Sequence, residues 1–145
     1  MNSTRIDDFF SRYALSMNSA LFDAEVDLQP ITDSFSGYVV GANPFGVFGG
    51  SNSDAFKNSI LEGVKSYKKM GIISMNIQST EVTMLNEFHA MVKVNWKSFY
   101  EKNGKTGEIP FENIYLIQLL NNIPRIFAFI TGDEQTELRK HNLIS

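Results

Sequence analysis

The chain holds 145 residues, 43% of them apolar and 12% aromatic, a length and mixture suited to one globular domain burying ~68–70% of its unfolded surface. Its net charge of −3 exerts no general pull on nucleic acid or anionic lipid. With no cysteine present, disulfides, thiol chemistry and cysteine-based metal sites are excluded.

Residues 1–8 lack the basic start and apolar run of a secretory signal. No apolar stretch reaches membrane-spanning length. A soluble, cytoplasmic protein with no nucleic-acid or membrane partner is expected. Thr4 and Asp7 stand at capping-box spacing, so Thr4 is the expected N-cap of a first helix. Ile6, Phe9, Phe10, Tyr13, Ala14 and Met17 then recur as one helical apolar stripe. A short helix is expected near Pro30, with Ile31 and Phe35 facing inward and Gly37 as its stop.

The glycine-rich stretch GANPFGVFGGSN, residues 41–52, admits two readings. A phosphate loop needs G-x-x-x-x-G-K-[ST], with backbone amides and a lysine around the phosphates. Here Val47-Phe48 follows Gly46, and no lysine comes before Lys57. The stretch is therefore read as a hairpin: Tyr38-Val39-Val40, a type I turn over Asn43-Pro44-Phe45-Gly46, and Val47-Phe48 returning.

Ser53 is the expected cap of a helix striped by Phe56, Ile60, Val64 and Tyr67 and closed by Gly71. From Ile72 the pattern turns to β. Strands are expected over 72–85, with a shift near Ser79-Thr80, then over 88–102, 105–120 and 125–131. Asn103-Gly104 is the strongest hairpin signal in the chain. A turn spans 121–124, and Asp133 caps a last helix through His141. The basic pairs Lys68-Lys69 and Arg139-Lys140 fall near helix ends, where cations suit the dipole. No repeat or linker divides residues 1–145, which read as a single domain.

A two-residue Asn103-Gly104 loop pairs Lys102 with Lys105 and sets the register beyond it. Trp96 then faces Phe111, Val94 faces Asn113, Val92 faces Tyr115, Ala90 faces Ile117 and Phe88 faces Leu119. This puts the apolar sets of both strands on one face, and Ile126, Ala128 and Ile130 are expected to join it. The opposite face mixes His89, Lys93, Lys97, Glu112, Ile114 and Gln118 with an apolar patch of Met91, Leu116, Phe127 and Phe129. That patch suggests a homodimer contact. A C-terminal helix folded over it is the competing explanation.

The order of these elements resembles the nuclear transport factor 2-like superfamily, which includes SnoaL-like polyketide cyclases, ketosteroid isomerase and scytalone dehydratase. Arg12-Tyr13-Ala14 with Asn18, Asn43-Pro44 with Gly46, Trp96, and Ile126-Phe127-Ala128-Phe129 before Gly132-Asp133-Glu134 carry the resemblance. It implies an α+β fold: a cone-like curved antiparallel or mixed sheet wrapped around a long helix, with a pocket at its open end and a dimer on its convex face. The resemblance to ketosteroid isomerase also implies places for three reacting groups. Tyr13 falls at the oxyanion tyrosine. The base, which precedes a proline, is replaced by Asn43, and the partner acid by Asn113 or Ile114. An amide cannot remove a proton, so the likeness is one of shape rather than mechanism.

Tyr13, Asn43, Trp96, Asn113 and Tyr115 are the candidate ligand-binding residues, neutral groups in an apolar pocket. Asn113 among Val94, Trp96 and Ile130 must find a partner, since an unsatisfied buried amide costs roughly 1–3 kcal/mol. Asp27 and Asp33 are the carboxylates left unassigned by element or parity, and with Tyr13 they are the candidate catalytic groups. His89 points to the convex face and His141 lies near a helix end. No residue set has metal-ligand spacing, no Gly-x-Ser-x-Gly elbow occurs, and no cofactor is implied. The expected role is binding of a small hydrophobic molecule. Cyclase, isomerase or dehydratase chemistry and a non-catalytic interaction scaffold are the alternatives.

Overall fold

In the computed structural model, which describes residues 2–145, the elements follow in the order α1 (Ser3–Phe22), α2 (Gln29–Thr32), β1 (Phe35–Asn43), β2 (Gly46–Ser51), α3 (Asp54–Met70), β3 (Ile72–Met84), β4 (His89–Lys102), β5 (Lys105–Leu120), β6 (Ile123–Ile130) and α4 (Glu134–Lys140). One six-stranded sheet runs in the order β2-β1-β6-β5-β4-β3. Every neighbouring pair is antiparallel except β1 and β6, which run parallel. The fold is thus α+β with a mixed sheet.

Asn2, not Thr4, caps α1: its side-chain oxygen accepts the Arg5 N–H at 3.0 Å, and Thr4 lies inside the helix. The apolar stripe of α1 sends Ile6, Phe10 and Tyr13 into the core. Asn18 ties the same helix to the sheet. Its amide donates to the Met75 carbonyl at 2.8 Å and accepts the Met75 N–H at 2.7 Å, so one side chain occupies backbone groups of edge strand β3.

The short helix stops at Thr32, and Phe35 and Gly37 belong to β1 rather than to it. The β propensity of Phe35-Ser36-Gly37-Tyr38-Val39-Val40 and a parallel partner in β6 outweigh the glycine as a stop. The glycine-rich stretch forms the β1–β2 hairpin, with Asn43 paired to Gly46 across Pro44-Phe45. Ser53 holds the N-cap position of α3 with no side-chain capping bond, and Gly71 closes that helix at φ 93°.

The β4–β5 ladder runs unbroken from His89↔Gln118 to Lys102↔Lys105, as the Asn103-Gly104 turn dictates. Both turn residues have positive φ, 54° and 76°, which matches the twist of the flanking strands. Strand β3 shifts register twice, between Ile72 and Ser74 and between Ile77 and Ser79, the second beside the expected place. At the other end Asn121-Asn122 make a second positive-φ turn, and β6 starts at Ile123.

β6 departs from simple alternation. Ile117 pairs with Ile126, but Leu116 pairs with Ala128, leaving Phe127 as the extra residue of a bulge. Ile126 therefore faces inward as expected, while Ala128 and Ile130 pass to the outer face. Phe129, expected outside, turns inward opposite Tyr115 and meets Phe35 and Phe48 at ring distances of 6.2 and 6.0 Å.

The helix α4 settles at the open end of the concave face. His141 meets Tyr100 at 3.1 Å, Lys102 reaches the Leu143 carbonyl at 3.0 Å, and Leu138 and Leu143 are buried in the core. The convex face is left uncovered by the C-terminal helix. Among the described residues no helix is long and apolar enough to cross a membrane.

Candidate binding cavity

A mismatch in strand length opens the cavity. Strand β6 pairs only with residues 114–120 of β5, and the chain then leaves the sheet, so residues 109–113 have no partner on that side. Between this bare edge, α3, β2 and α4 lies a cavity of about 1240 Å³.

Tyr13 from α1, Trp96 from β4 and Tyr115 from β5 close its buried end. The Tyr13 ring packs edge-on against Phe35, Trp96 and Tyr115 at 6.1, 6.2 and 6.2 Å. Phe111 stacks parallel to Trp96 at 6.1 Å and continues the wall toward the mouth. The inner stripe of α3 supplies Phe56, Ile60 and Val64 opposite. Gly63 stands among them, and a Cβ placed there would meet nothing within 4 Å. Gly41 has the reverse role: a Cβ would lie within 2.7 Å of the Phe129 ring, so only glycine lets Phe48 and Phe129 close over β1.

The polar groups are few and specific. The Tyr115 hydroxyl accepts the Trp96 indole N–H at 3.1 Å and an Asn113 amide N–H at 3.2 Å. This satisfies Asn113 and leaves the Tyr115 proton to be donated elsewhere. Tyr13, 9% exposed, has no hydrogen-bond partner for its hydroxyl among the described residues, and that hydroxyl opens on the cavity. Burial, with Tyr115 nearby, pushes the Tyr13 pKa well above the ordinary phenol value. Burial pushes Tyr115 up to about 12, against the lowering effect of the Asn113 and Trp96 hydrogen bonds. Both are neutral hydroxyls at physiological pH, able to donate to a ligand.

Nearer the mouth the Tyr67 hydroxyl donates to the Glu134 carboxylate, joining α3 to α4. Burial first, and Glu134 second, push the Tyr67 pKa well above its ordinary value. Asp133 caps α4 by accepting the Thr136 N–H at 3.1 Å and its hydroxyl at 2.7 Å, and these bonds lower its pKa.

Four of the expected residues, Tyr13, Trp96, Asn113 and Tyr115, thus meet in one cavity. Asn43 does not join them. It is exposed, and its side-chain oxygen accepts the Phe45 N–H at 2.9 Å to hold the hairpin turn. Asp27 and Asp33 are also exposed and outside the cavity lining. Asp27 accepts the Gln29 N–H at 3.1 Å and Asp33 accepts from the Gln29 amide at 2.6 Å, so both serve the short helix α2. Tyr67 and Glu134 were missed. Tyr67 reads as one member of a core stripe, and nothing in the sequence links it to a position so far along the chain. Among the described residues no three His, Asp or Glu side chains gather as a metal donor set.

A family model described as "NTF2-like protein (DUF6841)" matches residues 3–134. Among curated proteins none matches. Solved structures do. An NTF-2 like protein of unknown function from Shewanella oneidensis superposes with TM-score 0.68 at 13% identity, over 92% of this chain and 100% of that one. The β subunit of the benzoate 1,2-dioxygenase from Burkholderia mallei gives 0.66 at 14%, over 94% and 93%. A ketosteroid isomerase-like protein from Erwinia carotovora gives 0.64 at 14%, over 91% and 97%. Likeness at this identity is a likeness of fold, and one fold hosts many functions.

Proposed function

This chain belongs to the NTF2-like family DUF6841, and on that premise we propose that it binds a small, largely apolar molecule in the cavity between its sheet and α3. The observation that carries the reading is the Tyr13 hydroxyl, which has no partner among the described residues and opens on the closed end of a cavity of about 1240 Å³. A ligand oxygen or nitrogen at the closed end would meet this free hydroxyl as a hydrogen-bond donor. The surrounding mix of aromatic walls and a few fixed polar groups is that of small-molecule sites. The unfilled cavity argues against a purely scaffolding role. We also propose that two copies associate through the convex face, where Met91, Leu116 and Phe127 lie, with Ile130 in the part expected of Phe129.

Native mass spectrometry of freshly purified protein tests the first proposal by looking for a retained metabolite. Gly63→Leu is the matched variant. It places a side chain in open space of the cavity wall and favours the helix by up to ~1 kcal/mol over glycine. The variant is expected to be folded, at least as stable, and empty. A Gly63→Leu protein that keeps the same metabolite would show that the cavity is not where it binds.

A second reading is favoured by one observation, the carboxylate of Glu134 on the cavity wall beside the Tyr67 hydroxyl. An acid there could move a proton in isomerase-, cyclase- or dehydratase-type chemistry on a small hydrophobic substrate. Under this reading Glu134→Gln keeps binding and loses turnover.

A further inference from the structure

The ladders set the outward side chains of β4, β5 and β6 in rows. His89, Gln118 and Arg125 make the first row, and Met91, Leu116 and Ala128 the second. Lys93, Ile114 and Ile130 make the third, and Asn95 with Glu112 the fourth, where β6 has ended. Lys93 is paired with Glu81 at 3.6 Å, and Lys97, beyond the fourth row, with Glu108 at 3.3 Å. Glu112 and Arg125 are left, and neither has an ion-pair partner among the described residues. Two unmatched charges of opposite sign thus stand at opposite ends of an apolar patch.

Arg125 is half-buried and borders a notch of about 370 Å³. The notch forms where β1 and β6 part. Phe35 pairs with Ile126 and Val40 with Ala128, so residues 36–39 of β1 pass the single Phe127. Ser36, Tyr38, His89 and Gln118 line it with Arg125, and no carboxylate among the described residues does. Glu112, exposed at the other end, lies six residues from Gln118 on β5, roughly 20 Å at the rise of a strand.

Two copies of one sheet packed face to face are related by a two-fold axis in the plane between them. An axis crossing the strands at Tyr115 reverses the order of the rows, so the first lies over the partner's fourth and the second over its third. Leu116 then meets the partner's Ile114, and Glu112 meets the partner's Arg125. Lys93, already neutralised by Glu81, covers the partner's Met91 with its methylene stem. An axis along β5 would instead bring Glu112 over the partner's Glu112.

We infer that the convex faces pair about an axis crossing the strands at Tyr115, with each Glu112 seated in the notch against the partner's Arg125. This rests on the reading of the convex face as a dimer contact and adds its register and its charge pairs. Symmetry makes the contact twice, and charge pairs of this kind fix register and reject wrong pairings.

Sedimentation velocity over a concentration series tests it at neutral pH. Glu112→Arg and Arg125→Glu each set like charges together at both contacts, and each is expected to weaken the dimer at least about a hundredfold. Mixed in equal amounts the two variants should recombine as a heterodimer, because every contact again joins opposite charges. A chain carrying both substitutions should dimerise by itself. Circular dichroism establishes that each single variant is folded. Single variants as dimeric as the wild type, or folded monomers that do not recombine, overturn the inference and leave the convex-face dimer standing. If a reversal variant does not fold, Glu112→Gln and Arg125→Gln decide. Each is expected to weaken the dimer at least about tenfold, and unchanged association overturns the pairing. A monomeric wild type removes the dimer and the inference with it.

Discussion

Tyr115 gathers the indole of Trp96 and the amide of Asn113 on one oxygen, while Tyr13, whose ring packs edge-on against it, keeps its hydroxyl unshared. Their burial has a consequence for alkaline stability. A phenol with a folded pKa above its unfolded value holds its proton more tightly in the native state, so its contribution is intact below pH ~10 and is lost as pH rises through the folded value. For Tyr115 that window runs from the ordinary value of 10.0 to about 12, and Tyr13 and Tyr67 shift in the same direction. Absorbance titration should therefore show Tyr13, Tyr67 and Tyr115 ionising only with unfolding, and urea-unfolding midpoints should fall across that window. Ionisation of these three near pH ~10 in folded protein would contradict their burial. At this scale Asn113 and Tyr115 were legible because strand parity from a two-residue turn puts them among apolar neighbours. Asn43, Asp27 and Asp33 were not, because a turn amide and two helix-flanking carboxylates look the same in sequence whether they serve a loop or a ligand.

The contact between α1 and β3 depends on Asn18, whose amide replaces the partner strand that the edge strand lacks at Met75. Asn18→Ala removes two hydrogen bonds of about 1 kcal/mol each and leaves a backbone N–H and C=O of β3 without them. Chemical denaturation is expected to show a loss of about 2 kcal/mol, with faster amide exchange at Met75 than in the β4–β5 ladder. No measurable loss would mean that water serves the edge equally well. Among the elements, the β4–β5 pairing was readable residue by residue from Asn103-Gly104. The bulge at Phe127 was not, because either parity of β6 presents alternate apolar residues and the turn before it carries no mark of an extra residue. What selects the observed parity is packing. Phe129 fills the space over Gly41 beside Phe35 and Phe48, and Ile130 in its place would leave a gap in the aromatic wall.

Across the whole molecule the same bulge shapes the convex face, collecting Ala128 and Ile130 beside Leu116 and Ile114. A stable dimer there needs about 800 Å² from each partner, and a lysine at its centre would bury an unpaired charge. Sedimentation velocity at micromolar concentration is expected to give a dimer for the wild-type chain and a monomer for Leu116→Lys; a monomeric wild type refutes the association. The general architecture was legible because element order and a single register already bend the sheet around the helices. The Tyr67–Glu134 contact at the cavity was not, since α3 and α4 meet there only in three dimensions. One strand pairing also sets a timetable for synthesis. Strand β1 lies beside β6, whose first paired residue emerges about ninety residues after Phe35. A growing chain must therefore carry the hairpin with Phe45, Val47 and Phe48 as an orphan until the last strand leaves the ribosome. A stall anywhere before that point exposes a sticky β edge to whatever chaperone stands nearest.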